Sequence, residues 1–176
     1  MPCLKNNQDI ITENSDIAIY LDKTFPQPAF FSDPEVDQIS SKIAGTFPAL
    51  AKFVKSVEFQ PELEQKLLDE IENLDRVLAT SGVNYDIIST FLMYYIKIVG
   101  KYLFCDTVSM ADLSLAPKLF HLKTTLTTFS PTTLEKVMKF ENFSKYLDTI
   151  LSQDCISSCS YPSEVIVWGW TQARNK

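Results

Sequence analysis

The segment from Ser109 to Phe129 constrains the fold of this 176-residue chain more than any other part of the sequence. It begins with Ser-Met-Ala-Asp, a helix-start pattern in which the serine hydroxyl accepts a backbone N–H and the side chain of Asp112 reaches back. Apolar residues then cover more of the helix circumference than one stripe, namely Leu113, Leu115, Ala116, Leu119, Phe120, Leu122 and Leu126. We therefore predict a central helix that is contacted from several sides. Pro117 costs about 3 kcal/mol in a helix interior, so the bend that it causes should serve the packing.

Helical patterns dominate from residue 34 onward. Three further helix starts are predicted at proline-containing sequences, namely Asp33-Pro34, Gln60-Pro61 and Ser130-Pro131. The first of these helices should reach about Val57 with a kink at Pro48, and the second should end before Gly82. The predicted fold is therefore mainly α, with an all-α domain over residues 34–176.

The first 24 residues differ from the rest. A polar turn at Asn6-Asn7-Gln8-Asp9 between short apolar runs predicts a β-hairpin, and Ser15 is placed to cap a short helix. Two strands and one helix cannot bury a sheet face on their own. We therefore interpret residues 1–24 as a ββα remnant of a larger sheet domain, joined by a proline-containing linker at residues 25–33.

The composition is typical of a folded globular protein, with 45% hydrophobic and 22% charged residues. The net charge of −6 argues against binding to nucleic acid. Cys155 and Cys159 are separated by three residues, which is not the usual spacing of a zinc-ligand pair. With one histidine in the chain, no metal site is expected. No signal peptide is recognisable, so we expect a cytoplasmic protein with reduced thiols.

The segment Val83–Val99 is apolar and β-branched, unlike its neighbours. It is shorter than the roughly 20 apolar residues that a membrane-spanning helix needs, so no stable membrane span is expected. A long surface insertion costs little loop entropy. We predict that residues 83–99 are an insertion that the fold can lose.

Several stretches resemble the glutathione transferase superfamily, and within it the plant-type dehydroascorbate reductases. The main one is Asp112–Leu122, DLSLAPKLFHL, and the Gly169-Trp170 ending is another. The runs Phe53–Ser56 and Glu64–Glu70 are similar too, so the resemblance covers nearly the whole chain except residues 83–99. It implies a glutathione transferase C-terminal-type helical bundle preceded by a ββα remnant of a thioredoxin-like domain. Chloride intracellular channel proteins share part of the central pattern, and a non-enzymatic interaction protein of that type is the alternative.

The resemblance implies a reaction in which dehydroascorbate and two glutathione molecules give ascorbate and glutathione disulfide, with glutathione as co-substrate. This reaction belongs to ascorbate–glutathione redox recycling. The family's nucleophilic cysteine opens the first helix of the thioredoxin-like half, and its segment would precede Met1. No catalytic residue is therefore assigned, and the truncated chain is expected to be inactive. We expect a monomer, in the cytoplasm or, if a preceding region carries a transit peptide, in the chloroplast.

The resemblance also implies two binding regions. Met1, which precedes the family's cis-proline at Pro2, and Ser15 would contact glutathione. His121 and Trp170 match positions that line the ascorbate pocket. From the residues alone, a serine at a helix start needs no ligand, and a histidine or tryptophan beside an apolar stripe can equally be a packed residue.

The cysteines offer no substitute nucleophile in this interpretation. Cys3 follows the cis-proline and is expected to point into the sheet as a core residue. Cys105, Cys155 and Cys159 match no family motif. Each is expected to be a small packed residue or part of a loop.

Overall fold

The computed structural model describes residues 3–6, 9–27, 34–80, 101–104 and 106–175. Its elements are, in chain order, β1 (Leu4–Asn6), β2 (Asp9–Ile11), α1 (Asn14–Thr24), α2 (Pro34–Ile43), α3 (Thr46–Lys55), α4 (Pro61–Thr80), α5 (Met110–Phe129), α6 (Pro131–Val137), α7 (Glu141–Leu151), α8 (Asp154–Ser157) and α9 (Ser163–Arg174). The predicted mainly α fold with a small N-terminal sheet is confirmed. The domain boundaries at residues 24 and 34 stay a prediction.

The N-terminal unit is the predicted hairpin followed by a helix. β1 and β2 pair antiparallel, with Leu4 opposite Ile11, and the Asn6 side chain hydrogen-bonds to the Tyr20 hydroxyl of α1. The predicted N-cap role of Ser15 is wrong, because Glu13, two residues earlier, takes the N-cap position and α1 begins at Asn14. No residue of α1 is buried.

The single helix predicted from Asp33 to Val57 is two helices, α2 and α3, with a turn at Ala44 and Gly45. Pro48 causes no kink, because it is the third residue of α3. The first-turn N–H groups of a helix have no intrahelical partner, so a proline there removes no hydrogen bond. A proline in this pattern therefore marked the start of a new helix.

The central position of α5 is confirmed. This helix packs against α2, α3, α6, α7, α8 and α9, and its buried residues are Ala111, Asp112, Leu115, Ala116, Leu119, Leu122, Thr125 and Leu126. Ser109 and Asp112 make the predicted reciprocal capping box. Pro117 lies inside the helix with its ring exposed to solvent, so the core does not have to accommodate it.

The Asp112 carboxylate also ties α5 to two other parts of the chain. Its Oδ1 accepts from the Leu103 backbone N–H at 3.0 Å and from the Tyr146 hydroxyl of α7 at 2.8 Å. Its Oδ2 accepts from the Ser109 backbone N–H at 2.8 Å and from the Ser109 hydroxyl at 2.6 Å. Asp112 has no exposed surface, so four internal donors replace water around its charge.

The segment Val83–Val99, predicted to be an insertion, lies outside the described residues. Its deletion is still expected to preserve the fold. Among the helices that the structure describes, none is both long and apolar enough to cross a membrane.

Candidate functional site

Four aromatic rings meet where α3, α5 and α9 come together. We call them the His121 cluster: Phe47 on α3, His121 on α5, Trp170 on α9 and Tyr161 in the loop before α9. The His121 ring centroid lies 6.0 Å from that of Phe47, and 6.3 Å from those of Tyr161 and Trp170, all edge to face. Phe47 and Trp170 also meet edge to face, at 6.3 Å. Such ring pairs are favourable beyond their simple area burial.

Hydrogen bonds fix the protonation pattern of this cluster. The Trp170 Nε1–H donates to His121 Nδ1 at 3.0 Å. An indole can only donate, so Nδ1 must be unprotonated, and the neutral imidazole carries its hydrogen on Nε2. His121 Nε2 lies 2.8 Å from the Tyr161 hydroxyl and therefore donates to it. Both ring nitrogens of His121 thus have internal partners. The Tyr161 hydroxyl is the last group in this series of hydrogen-bonded side chains.

The environment of His121 favours its neutral form. Partial burial lowers the pKa of His121 below its ordinary value of 6.5. Protonation would also place an N–H on Nδ1, facing the N–H of Trp170. The cluster is therefore uncharged at neutral pH. It offers ring edges and faces together with one hydroxyl, and none of its four members is a nucleophilic thiol.

We expect the His121 cluster to lose stability as the pH falls. Because the folded-state pKa of His121 is lowered, the unfolded chain takes up its proton first, and the contribution of the cluster is complete only above about pH 6.5. It should decrease as the pH falls from there through the folded pKa of His121. Thermal unfolding midpoints between pH 7.5 and 5 measure this loss. In the control variant His121→Asn, an amide oxygen can still accept from Trp170, and the part of the slope due to His121 should disappear.

The other predicted site residues are not part of this cluster. Met1 and Pro2 lie outside the described residues. Ser15 is exposed at the second position of α1, where its backbone N–H has no intrahelical acceptor. Cys3 is exposed, so its predicted place in a core is wrong.

Cys155 and Cys159 are also exposed free thiols, in and just after α8, and Cys105 lies outside the described residues. Among the described side chains, no group of three or more histidines, cysteines and acids could hold a metal ion. No described cysteine belongs to the His121 cluster.

Two members of the His121 cluster were not predicted. Tyr161 lies in a polar loop whose sequence has no helical or strand period, and its partner His121 is 40 residues away. Phe47 precedes Pro48 in an apolar pattern that predicts only core packing. A contact between distant segments leaves no local pattern, so only the structure could reveal these two residues.

Sequence comparison finds proteins that are similar to this chain over most of its length. No protein-family model matches the chain. It is 27% identical over 170 residues to "Probable glutathione S-transferase DHAR2, chloroplastic" of Oryza sativa subsp. japonica, which covers 97% of this chain and 54% of that protein. It is 26% identical over 170 residues to "Glutathione S-transferase DHAR3, chloroplastic" of Arabidopsis thaliana, covering 97% and 57%. For "Glutathione S-transferase DHAR2" of the same plant the identity is 26% over 176 residues, covering 99% and 72%.

These matches confirm the predicted resemblance to the glutathione S-transferases. The three relatives named above are plant proteins of the DHAR type. The chain spans about half the length of the first two of them. Both of these carry a chloroplast location in their names, whereas the compartment of this chain stays a prediction.

Proposed function

We propose that this chain supplies the ascorbate side of a glutathione-dependent dehydroascorbate reductase-type protein, in which the His121 cluster binds dehydroascorbate and ascorbate. The observation that carries this proposal is the 3.0 Å hydrogen bond from Trp170 to His121. It joins the two residues that the resemblance implies for this pocket, although they are 49 positions apart and on different helices. The relatives named DHAR support the same class.

Binding would use a relay of three hydrogen bonds. Trp170 donates to His121, and His121 donates to the Tyr161 hydroxyl. A phenol can accept and donate at once, so the O–H of Tyr161 is left to donate to an oxygen of the lactone ring. Tyr161 is 46% exposed, which allows a ligand to reach it. In this arrangement His121 acts through Tyr161 and does not touch the ligand.

Glutathione would bind at the N-terminal unit, at Met1 and Ser15. The hydroxyl and the backbone N–H of Ser15, at the positive end of α1, suit a carboxylate. The nucleophilic cysteine that the resemblance implies opens the first helix of the thioredoxin-like half, and none of the 176 residues matches it. The proposal therefore includes that this polypeptide alone does not reduce dehydroascorbate with glutathione. Cys3→Ser is the check on that point, since turnover that disappears in this variant would identify Cys3 as the nucleophile.

The test is ascorbate binding, measured by titration calorimetry with the whole chain. The variant Trp170→Ala, which loses the indole ring, should bind ascorbate about tenfold more weakly. This factor corresponds to roughly 1.4 kcal/mol, the size expected for one aromatic contact. Trp168→Ala is the matched control, because Trp168 lies on the same helix and is 67% exposed. It should bind ascorbate as the parent does. Tyr161→Phe, which keeps the ring and removes the hydroxyl, should weaken binding by a smaller factor.

Two results would overturn the proposal. One is a folded parent chain that binds no ascorbate, which would favour the alternative of a non-enzymatic interaction protein of the chloride intracellular channel type. The other is equal affinity in the parent, Trp168→Ala and Trp170→Ala proteins. Circular dichroism spectra of each variant ensure that a lost affinity is not a lost fold.

A further inference from the structure

A pair of exposed thiols lies next to the His121 cluster in sequence. Cys155 is the second residue of α8, and Cys159 follows the end of this four-residue helix. Both are exposed free cysteines. α8 has no buried residue and packs on α5 and α7. The proposed binding of ascorbate gives these two thiols no role.

The backbone brings the two thiols to one side of the same turn. The Ser158 N–H bonds to the Asp154 carbonyl at 3.0 Å, which extends the α-helical pattern by one residue. The Cys159 N–H bonds to the Ile156 carbonyl at 3.2 Å, three residues back, so the chain ends in a tighter turn of the 3₁₀ type. Residues four apart in a helix share a face. Their Cα atoms are about 6 Å apart by helix geometry, which lies within the usual range for a disulfide.

Closing the bond needs one local adjustment. Cβ atoms four residues apart on a helix are roughly 5–6 Å apart, whereas a disulfide holds them at about 3.8 Å. The turn at Cys159 must therefore tighten. No residue of α8 is fully buried, and Ile156 is the residue of this helix that packs, partly buried, against the core, so tightening the turn moves no fully buried side chain of α8.

The same movement acts on the His121 cluster. Tyr161 is only two residues beyond Cys159, and its hydroxyl lies 2.8 Å from His121 Nε2. Its ring also contacts Phe120 of α5, with the centroids 6.2 Å apart. Only Ser160 separates Cys159 from Tyr161, so a shift of the Cys159 backbone by more than about an ångström also displaces Tyr161. The hydrogen bond between Tyr161 and His121 should then lengthen or break.

We propose that Cys155 and Cys159 form a reversible intramolecular disulfide that displaces Tyr161 from His121. The oxidant is a low-molecular-weight disulfide such as glutathione disulfide. One cysteine thiolate attacks a sulfur of the oxidant, forming a mixed disulfide and releasing one glutathione. The other cysteine then attacks the protein-bound sulfur and releases the second glutathione. In total the two protein thiols lose two electrons and two protons. The two released glutathione molecules take up these electrons and protons as thiols.

The inference does not depend on ascorbate binding, and its test uses none. Trp168→Phe leaves Trp170 as the single tryptophan of the chain, and its indole reports on the His121 cluster. This protein is incubated with glutathione disulfide, digested with trypsin and analysed by mass spectrometry. Residues 146–174 form one tryptic peptide that contains both thiols and no other cysteine. We expect this peptide to lose the mass of two hydrogens and the emission of Trp170 to shift, with both changes reversed by dithiothreitol.

Variants separate the two parts of the proposal. Cys159→Ser should stop at the mixed disulfide, with one glutathionyl group on the peptide, and Cys3→Ser should behave as the parent. Tyr161→Phe should still form the disulfide, but with a smaller change in Trp170 emission. A peptide that keeps both thiols, or ends as a mixed disulfide in the parent, would overturn the proposed bond. A disulfide that forms without any change in Trp170 emission would overturn its coupling to Tyr161.

Discussion

Asp112→Ala is expected to lower the free energy of unfolding by about 4 kcal/mol, because it removes an acceptor shared by four buried hydrogen bonds. The Leu103 N–H, the Ser109 N–H and the Tyr146 hydroxyl would lose their partner, and a buried donor without one costs about 1–3 kcal/mol. Burial, and then the Asp112 charge, raise the pKa of Tyr146 far above its usual range, so Tyr146 stays a donor at any accessible pH. The thermal midpoint should fall by roughly 10 °C for a chain of this size.

The matched control for this change is Asp106→Ala. Asp106 also accepts a backbone N–H, that of Lys101 at 3.0 Å, but it is exposed. Its replacement should leave the midpoint nearly unchanged, since water takes over the lost contact. Ser109→Ala tests the contribution of the capping box alone. It should lower the free energy of unfolding by about 1 kcal/mol, the usual effect of losing a serine N-cap. An Asp112→Ala protein that unfolds within two degrees of Asp106→Ala would contradict the shared-acceptor account.

The extent to which the sequence predicts this network depends on distance along the chain. Ser109 and Asp112 are three residues apart, so the capping box is a local pattern that the sequence displays. The Leu103 and Tyr146 contacts span 9 and 34 residues. The Leu103 contact arises only when the segment before α5 folds against this helix, and the Tyr146 contact only when α7 packs on α5. No local spacing in the sequence predicts either contact.

Helix boundaries show the same limit. The apolar period continues from α2 into α3, so it predicted one helix, and Pro48 is compatible with either a kink or a first turn. At α1, Asn14 and Ser15 are both good helix starters. The structure places the cap at Glu13, which makes no side-chain capping bond. Periodicity therefore predicted that these helices exist but not where two of them begin.

The candidate site followed from resemblance rather than from physical pattern. His121 and Trp170 were singled out by similar positions in a family, and the structure adds the hydrogen bond between them. Both imidazole nitrogens have internal partners, so in the proposed relay the group that donates to the ligand is the Tyr161 hydroxyl. Tyr161, the residue that could take that role, lies in a loop without a periodic pattern.

The second large effect is expected for Lys136→Met. Glu64 on α4 is buried, with 6% of the residue exposed. Its carboxylate contacts α6 by accepting from the Lys136 ammonium, at 2.9 and 2.8 Å, and from the Thr133 hydroxyl at 2.7 Å. Burial alone raises the pKa of Glu64, but the bonds from Lys136 and Thr133 together lower it below its ordinary value. Methionine keeps the length of the side chain and removes the charge, so Glu64 would remain buried without its cation. The Lys136 side chain is 48% exposed, so water screens part of the loss. At neutral pH the free energy of unfolding should fall by about 2 kcal/mol, less than for a fully buried pair.

The pH dependence of this variant separates the ion pair from simple loss of packing. In the parent, the pKa of Glu64 is lowered, so its contribution is present above the unfolded pKa and is lost as the pH falls through the folded one. In the Lys136→Met protein, burial has the larger effect and raises the pKa of Glu64 above its ordinary value. Glu64 then favours folding more at low pH than at neutral pH. The difference in unfolding free energy between parent and variant should therefore shrink as the pH falls. Glu64→Gln in the Lys136→Met background should restore much of the stability at neutral pH. Lys145→Met, which removes an exposed pair with Glu141, should leave the midpoint unchanged at both pH values. If the loss of unfolding free energy in Lys136→Met stays constant from pH 7 to pH 4, the account is wrong. The aliphatic part of the lysine side chain, and not its charge, would then support the contact between α4 and α6.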